Sequence, residues 1–405
     1  MAFRSAVPPS NAEPNRTSLA ELAALFAKLG TIAFGGPAAH IAMLEDEVVV
    51  RRRWLTREAF TDYLGATNLI PGPNSTELAI HIGHARAGWP GLIVAGVSFI
   101  MPAACIVTAM AWAYVRFGAL PAVAGVLYGV KPVVIAVVLQ ALWRLGKTAM
   151  KNTWLIMLGG VAVIAVAMGV NELVVLAAGG LLATAPHRRR APSARATLML
   201  LARPATATPT RSVGAVVASG VGAAGTATTA ALWPLFGVFL KIGAVLFGSG
   251  YVLLAFMRAD LVERLHWLTE RQLLDAVAVG QITPGPVFTA ATFAGYLIAG
   301  GSGAMVATLG IFLPAFVFVA ISGPLVPRLR RSAIAGSFLD GVNVVSLALM
   351  AVVTWQLTRA AVVDPTTVVI AAASGLVLFR FRLNSAWLVL GGAAIGMVAR
   401  FASGS

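Results

Sequence analysis

The chain has 405 residues, 59% of them apolar and only 11% charged, and a mean hydropathy of +0.86. Soluble chains run at about 45–50% apolar and about 25% charged, so these figures exclude an ordinary water-soluble domain and call for one embedded in a membrane. The formal net charge of +15 does not mark a nucleic-acid binder, because the arginines fall in short segments between apolar runs, as positive-inside topology expects.

Residues 1–18 hold Arg4, Arg16 and three prolines but no apolar run, so they read as a cytoplasmic tail and not a cleaved signal. Charge-free runs follow at Ala87–Val115, Asn152–Asn171, Ser212–Leu240 and Ala276–Pro327. Each reaches or exceeds the roughly 20 residues a helix needs to cross the hydrocarbon, and the longest must hold two crossings. Cys105 is the single cysteine and lies inside an apolar run; no intramolecular disulfide can form, and its role is packing.

An internal repeat is written without a gap. Phe26–Gly35 (FAKLGTIAFG) returns as Phe239–Gly248 (FLKIGAVLFG), an offset in numbering of 239 − 26 = 213. At the same offset Trp54-Leu55-Thr56 meets Trp267-Leu268-Thr269, Asp62 meets Asp275, and Pro71-Gly72-Pro73 meets Pro284-Gly285-Pro286. From Phe26 to Thr76 there are 16 identities in 51 positions, placed on glycines, prolines and tryptophan where shared apolar composition would not put them. Further on the offset becomes 212, pairing Pro102 with Pro314, Gly129 with Gly341 and Trp143 with Trp355. The expected division is a first repeat over 19–186, a second over 232–401 and a tail at 402–405. Between the repeats, 187–231 comprises a basic cytoplasmic linker and an extra membrane span expected within Ser212–Ala231.

That extra crossing would start the second copy on the opposite side of the membrane. The charges agree. In the first copy the inside segments hold Arg86, Arg144, Lys147 and Lys151, and the outside ones only Arg116 and the Asn171-Glu172 turn. In the second copy the bias flips to Arg328, Arg330, Arg331, Arg380 and Arg382. The expected fold is therefore all-α and polytopic, two inverted-topology helical repeats with broken or re-entrant helices, in the inner (plasma) membrane. Such repeats place substrate at their interface near the midplane and give access to each side in turn.

Each copy opens with an apolar helix carrying a lysine, a Gly-rich break, a charged amphipathic stretch, and a second apolar helix broken by Pro-Gly-Pro. Prolines lack the backbone donor and disfavour helix at the residue before them. Non-helical backbone at membrane depth is tolerated only where protein buries it or it lines a polar cavity, which makes these breaks the candidate site. A proline kink used for packing is the plainer alternative.

The run Phe34-Gly35-Gly36-Pro37-Ala38-Ala39-His40-Ile41, the triplet Trp54-Leu55-Thr56 and Pro71-Gly72-Pro73-Asn74 resemble the N-terminal half of the chromate ion transporter family; Gln281-Ile282-Thr283-Pro284-Gly285-Pro286 resembles its second half. The resemblance covers essentially the whole chain. It implies a bacterial carrier of two oppositely oriented halves, associated with chromate efflux and so with chromate resistance, with sulfate as the structural analogue. Asn68 and Glu77 stand where the family pattern leads one to expect glutamine, which leaves substrate and coupling ion open.

On this reading Lys28 and Lys241, equivalent positions in apolar helices, neutralise a dianion, since a charge at mid-membrane costs at least about 2.5–3.5 kcal/mol and calls for a function or a partner. Snorkelling, or pairing of Lys28 with Glu21, is the structural alternative. The breaks contribute Gly35, Gly36, Pro71, Gly72, Pro73 and Asn74 from the first copy. Gly248, Gln281, Thr283, Pro284, Gly285, Pro286 and Thr289 come from the second, where a helix starting after Pro286 aims free N–H groups at the anion. Asn74-Ser75-Thr76-Glu77 reads as a capping box. Glu77, His81 and His84 share one helix face and are read alternatively as capping with interfacial histidines, a proton path or a metal site. His40 is a lining or packing residue, and Asp62 and Asp275 are first-turn acids favoured by the helix dipole. Chromate or sulfate is the expected substrate and the lipid bilayer the surroundings, with no cofactor, no metal and no nucleic acid; a homodimer is compatible with such a carrier. Proton-coupled oxyanion uptake is the rival within the class. A membrane enzyme acting on a phosphorylated lipid is the rival outside it, and the chain offers neither a Ser-His-Asp arrangement, a Cys-His cluster nor an acidic metal motif for one.

Overall fold

The structure is a computed structural model that describes residues 17–34, 36–118, 121–185, 229–247, 250, 252–381 and 385–402. Residues 187–228, most of the expected linker and extra span, lie outside the described residues. Thr229–Ala231 already belong to the first helix of the second copy.

Among the described residues the chain forms fourteen α-helices and no strand. The first copy comprises α1 (Leu19–Ile32), α2 (Gly36–Glu45, prolonged by wider turns at Asp46–Arg51), α3 (Arg57–Thr67), α4 (Asn74–Phe117), α5 (Pro121–Ala149), α6 (Thr153–Ala167) and α7 (Glu172–Ala183). The second repeats the series as α8 (Thr229–Val245), α9 (Leu253–Met257, prolonged by Arg258–Arg264), α10 (Glu270–Ile282), α11 (Ala290–Arg331), α12 (Ala333–Ala361), α13 (Pro365–Phe381) and α14 (Ser385–Ala402).

The copies agree in backbone detail. Arg53 and His266 share a positive φ of 52° and 53°, and the Trp54 and Trp267 N–H groups donate to the carbonyls of Val48 and Leu261, each at 2.8 Å. The two longest helices break alike, at Ala87-Gly88 (φ −142°, then 62°) and at Ala299-Gly300 (φ −143°, then 60°). Glycine is required there because a side chain resists positive φ with extended ψ. The chain folds back at these points. Gly83 faces Gly91, and Gly295 faces Gly303, so closely that a Cβ on either partner would collide with the opposite carbonyl. Each long helix is thus a short arm, a tight turn and a long arm.

The first elements of each copy are too short to cross. From α1 to the short arm of α4, and from α8 to the short arm of α11, none exceeds 17 residues, about 26 Å at 1.5 Å per residue, against a hydrocarbon core of about 30 Å. Their ends meet in pairs. Arg52, after α2, bonds Glu21 in the first turn of α1 at 2.6 Å, and Tyr63 of α3 stacks on His81 of the short arm at 5.5 Å. Arg86, at the end of that arm, donates to Thr17 just before α1 at 2.8 Å. They form two short helical hairpins whose ends lie together. Among the described residues four helices are long and apolar enough to span: Asn74–Phe117, Gly125–Ala149, Val287–Ser322 and Ala333–Ala361. Trp89, Ile93, Val97 and Met101 form an exposed stripe at four-residue spacing on the long arm of α4, the apolar face a bilayer covers.

Equivalent helices run in opposite directions. Lys151, just past the end of α5, pairs with Asp340 near the start of α12 at 2.7 Å, while Tyr128, near the start of α5, donates to Asp364 past the end of α12 at 2.6 Å. The copies also interlock: α5 packs against α13 and α14 of the other copy, and α12 against α6 and α7.

Asp62 and Asp275 are not first-turn acids. Thr56 and Thr269 cap α3 and α10 by accepting from Ala59 and Gln272 N–H at 3.2 Å, so the helices begin at Arg57 and Glu270 and the acids sit in the second turn.

One prediction follows from the antiparallel copies. Single cysteines at Trp89 and Gly301, equivalent exposed positions beside the two tight turns, on a Cys105→Ser background should react with a membrane-impermeant maleimide from opposite faces. Reaction from one face only would refute the inverted arrangement.

Candidate functional site

The two breaks hold each other across the pseudo-symmetry axis. Gly72 N–H donates to the Leu246 carbonyl at the end of α8 at 2.8 Å, and Gly285 N–H to the Ala33 carbonyl at the end of α1 at 2.9 Å. Ala33 and Leu246 are themselves equivalent positions of the repeat. Both Pro-Gly-Pro glycines have positive φ, 136° and 87°, and a Cβ on Gly285 would press on Ala103 Cβ (2.7 Å) and the Gly30 carbonyl (2.9 Å). Glycine is needed for both reasons.

His40 completes this junction. Its Nε2 lies 3.0 Å from the Ala33 carbonyl and its Nδ1 3.3 Å from Ser75 Oγ. A carbonyl only accepts, so Nε2 carries the proton and Nδ1 accepts from the serine.

A cavity of about 630 Å³ opens where the breaks meet. The first break supplies Asn68, Pro73, Asn74 and Ser75, and the second Pro286 and Val287. The end of α5 adds Thr148 and Lys151; α12 adds Asp340, Asn343 and Ser346. Ser346 Oγ is buried without a partner. A hydroxyl left free at the wall of a polar cavity that also holds three asparagine amides and the first turn of α4 suits an oxyanion that accepts hydrogen bonds from all sides.

Of the expected site residues, Pro73, Asn74 and Pro286 line this cavity, while Pro71, Gly72, Pro284 and Gly285 are buried in the break backbone beside it. Gly36 starts α2 with φ 77°. Gly35 and Gly248 lie outside the described residues. Thr283 and Thr289 are buried and give their hydroxyl protons to the carbonyls of Val279 and Pro286 at 2.8 Å. Gln281 is buried, and its Nε2 has no partner.

The lysines are not brought to the cavity wall. Lys28 bonds Glu47 at 2.8 Å, and Lys241 pairs with Asp260, which is 1% exposed and also bonded by Arg264. Glu47 and Asp260 are again equivalent positions of the repeat, so each copy carries the same lysine–acid pair, which sequence reading missed. Lys28 does not use Glu21, which Arg52 takes. The hydrogen bond from Lys28 holds the Glu47 carboxyl below its ordinary range.

The expected capping box at Asn74 does not form. Asn74 lies inside the helix, its Nδ2 turned to Asn68 Oδ1 at 2.8 Å, and Pro73 occupies the cap position. Freed from capping, Glu77 is fully buried against Gly72 with neither oxygen partnered. Along the same arm burial falls from Glu77 through His81, stacked on Tyr63, to exposed His84 beside Trp89. Among the described residues no cluster of three or more metal-ligating side chains occurs.

The family model described as "Chromate transporter" matches residues 20–184 and 233–397. The chain is 33% identical over 390 residues to a chromate transport protein of Cupriavidus metallidurans, covering 94% of this chain and 93% of that one. It is 32% identical to a chromate transport protein of Pseudomonas aeruginosa, covering 88% and 84%. With a probable chromate transport protein of Synechococcus elongatus it shares 30% identity, covering 82% and 83%. No solved structure matches it.

Proposed function

The chain belongs to the chromate transporter family, a transporter and not an enzyme, and from that premise we propose that it exports chromate across the inner membrane, driven by the membrane potential and conferring chromate resistance. The observation that carries the reading is the cavity at the crossed breaks. It presents hydroxyls, amides and a helix start to a tetrahedral oxyanion, and its rim holds Lys151 beside the exposed Arg144 and Lys147. By the positive-inside bias those residues are cytoplasmic, so the cavity is open to the cytoplasm and stands ready to load.

In this reading the break residues line or support the anion site. Lys28 and Lys241, with their paired acids, hold the short helical hairpins and contribute to the field around the site. Charge then moves with the substrate. Chromate is mostly a dianion near neutral pH, and a cytosol-negative potential expels it without a nucleotide.

A second reading, proton-coupled uptake of sulfate or another oxyanion, is favoured by Glu77. An ionised carboxylate buried without a partner is costly, and a proton removes that cost; its arm leads past His81 to the exposed His84. The deciding experiment is uptake of labelled chromate and sulfate into oriented vesicles. Saturable chromate flux, with sulfate competing, is the expected result; absence of flux for both anions would sink the transport reading.

A further inference from the structure

Lys131 belongs to none of the sites described so far. It lies within α5, its side chain is 11% exposed, and its Nζ stands 2.9 Å from Oδ1 of Asp275, which is fully buried on α10 of the other copy. Tyr114 Oη donates to the second carboxylate oxygen at 2.8 Å. On α10 itself Arg271 precedes Asp275 by one turn. Charge inside a spanning helix is costly and marks function; apolar side chains would often join the copies at least as well as a buried ion pair.

The repeat shows what Lys131 is equivalent to. At the later repeat offset of 212, the cavity residues Leu339, Asp340, Asn343 and Ser346 correspond to Leu127, Tyr128, Lys131 and Val134. The cavity's Asn68 corresponds to Gln281 at the earlier offset of 213. Because α5 and α12 run antiparallel, these counterparts outline a mirror-image cavity towards the opposite face. Along α5 Lys131 is about 21 Å from Leu145, where that helix first meets the open cavity. Here the mirror region is shut. Leu127 and Val134 are 8% and 1% exposed, Tyr128 is bonded to Asp364, and Lys131 to Asp275.

Inverted repeats reach their second state by exchanging conformations. We infer that Lys131 is a substrate-binding residue of the opposite-facing state, where it meets the oxyanion, and that in the present state Asp275 holds it in the anion's place. Gln281 supports the same assignment independently, as a buried amide whose Nε2 has nothing to donate to. The incoming anion displaces the Asp275 carboxylate from the ammonium, Tyr114 stays bonded to that carboxylate, and the carboxylate returns to Lys131 as the anion leaves. The two faces then differ: the cytoplasmic cavity offers the Asn343 amide at the position where the other offers an ammonium.

The inference rests on the transport reading and is tested in two arms. On a Cys105→Ser background, single cysteines at Leu339 and Leu127 should react with an impermeant maleimide from opposite faces, each protected by chromate. A Leu127 cysteine that never reacts, or reacts from the same face as Leu339, overturns the inference. In the second arm, Lys131→Gln should raise half-saturating chromate on the Leu127 face by about tenfold or more, with Lys131→Arg partly restoring it. The neutral double variant Lys131→Gln/Asp275→Asn leaves no unpaired buried charge and should stay as impaired as Lys131→Gln. Wild-type kinetics in that double variant would reduce the pair to a structural strut. Wild-type protein that moves no oxyanion removes the transport reading and this one with it; normal wild-type flux with kinetics indifferent to Lys131 removes this one alone.

Discussion

In proteoliposomes with a potassium gradient and valinomycin, and no pH difference, chromate flux should follow the imposed potential and reverse with its sign. Each charge crossing the membrane is worth roughly 2.3 kcal/mol per 100 mV, so an uncompensated dianion is driven by about 4–5 kcal/mol. That corresponds to an equilibrium concentration ratio on the order of 2,000. Flux indifferent to potential but driven by a pH gradient would overturn potential-driven export in favour of proton-coupled uptake. Glu77→Gln should then abolish the pH-driven flux, because no other fully buried, unpartnered carboxyl among the described residues stands beside a break.

Gly129→Leu should abolish folded protein. A Cβ at Gly129 would land on the Gly392 carbonyl, with its carbon and Gly396 Cα each 2.8 Å away, where α5 and α14 of opposite copies meet backbone to backbone. Overpacking that side chains can absorb costs about 1–3 kcal/mol, and here rigid helices would have to part, so the loss should exceed that range. Gly160→Leu is the matched control, since nothing lies within 4 Å of its Cβ position. Monodisperse protein on detergent size exclusion is expected for Gly160→Leu and none for Gly129→Leu; similar profiles would show that the copies do not meet at this glycine.

Much of the fold was legible because duplication writes it twice. The gap-free offset, the Pro-Gly-Pro breaks and the flipped arginines each constrain backbone or topology locally, and the structure has broken helices at both breaks and antiparallel equivalents. What local pattern does not encode is which side chains meet. Nothing near Lys28 in sequence announces Glu47, because the partner arrives only when α2 folds back along α1. Lys131 and Asp275 lie in different copies and far apart along the chain, and Asp275 by itself read as a helix-start acid. Glu77 carried a sound capping signature that failed because Pro73 took the cap position. The two lysine–acid pairs did leave a signal in the sequence: Glu47 and Asp260 keep their charge at the repeat offset, as Lys28 and Lys241 do.

The interlocking of the copies has a cost during synthesis. The α5 helix is complete at Ala149, but the helices that cover it, α13 and α14, begin at Pro365 and Ser385. At about 5–20 residues per second the ribosome needs roughly 10–50 s to deliver them. For roughly 6–25 s of that interval Lys131 has no Asp275, and throughout it the Gln140 amide, which donates to the Leu378 carbonyl at 2.8 Å in the finished protein, has no acceptor there. The nascent first half must therefore wait in the bilayer with polar groups turned towards lipid. A ribosome stalled before α10 would leave a fragment that inserts but cannot settle, with its buried lysine exposed to the quality-control proteases of the membrane.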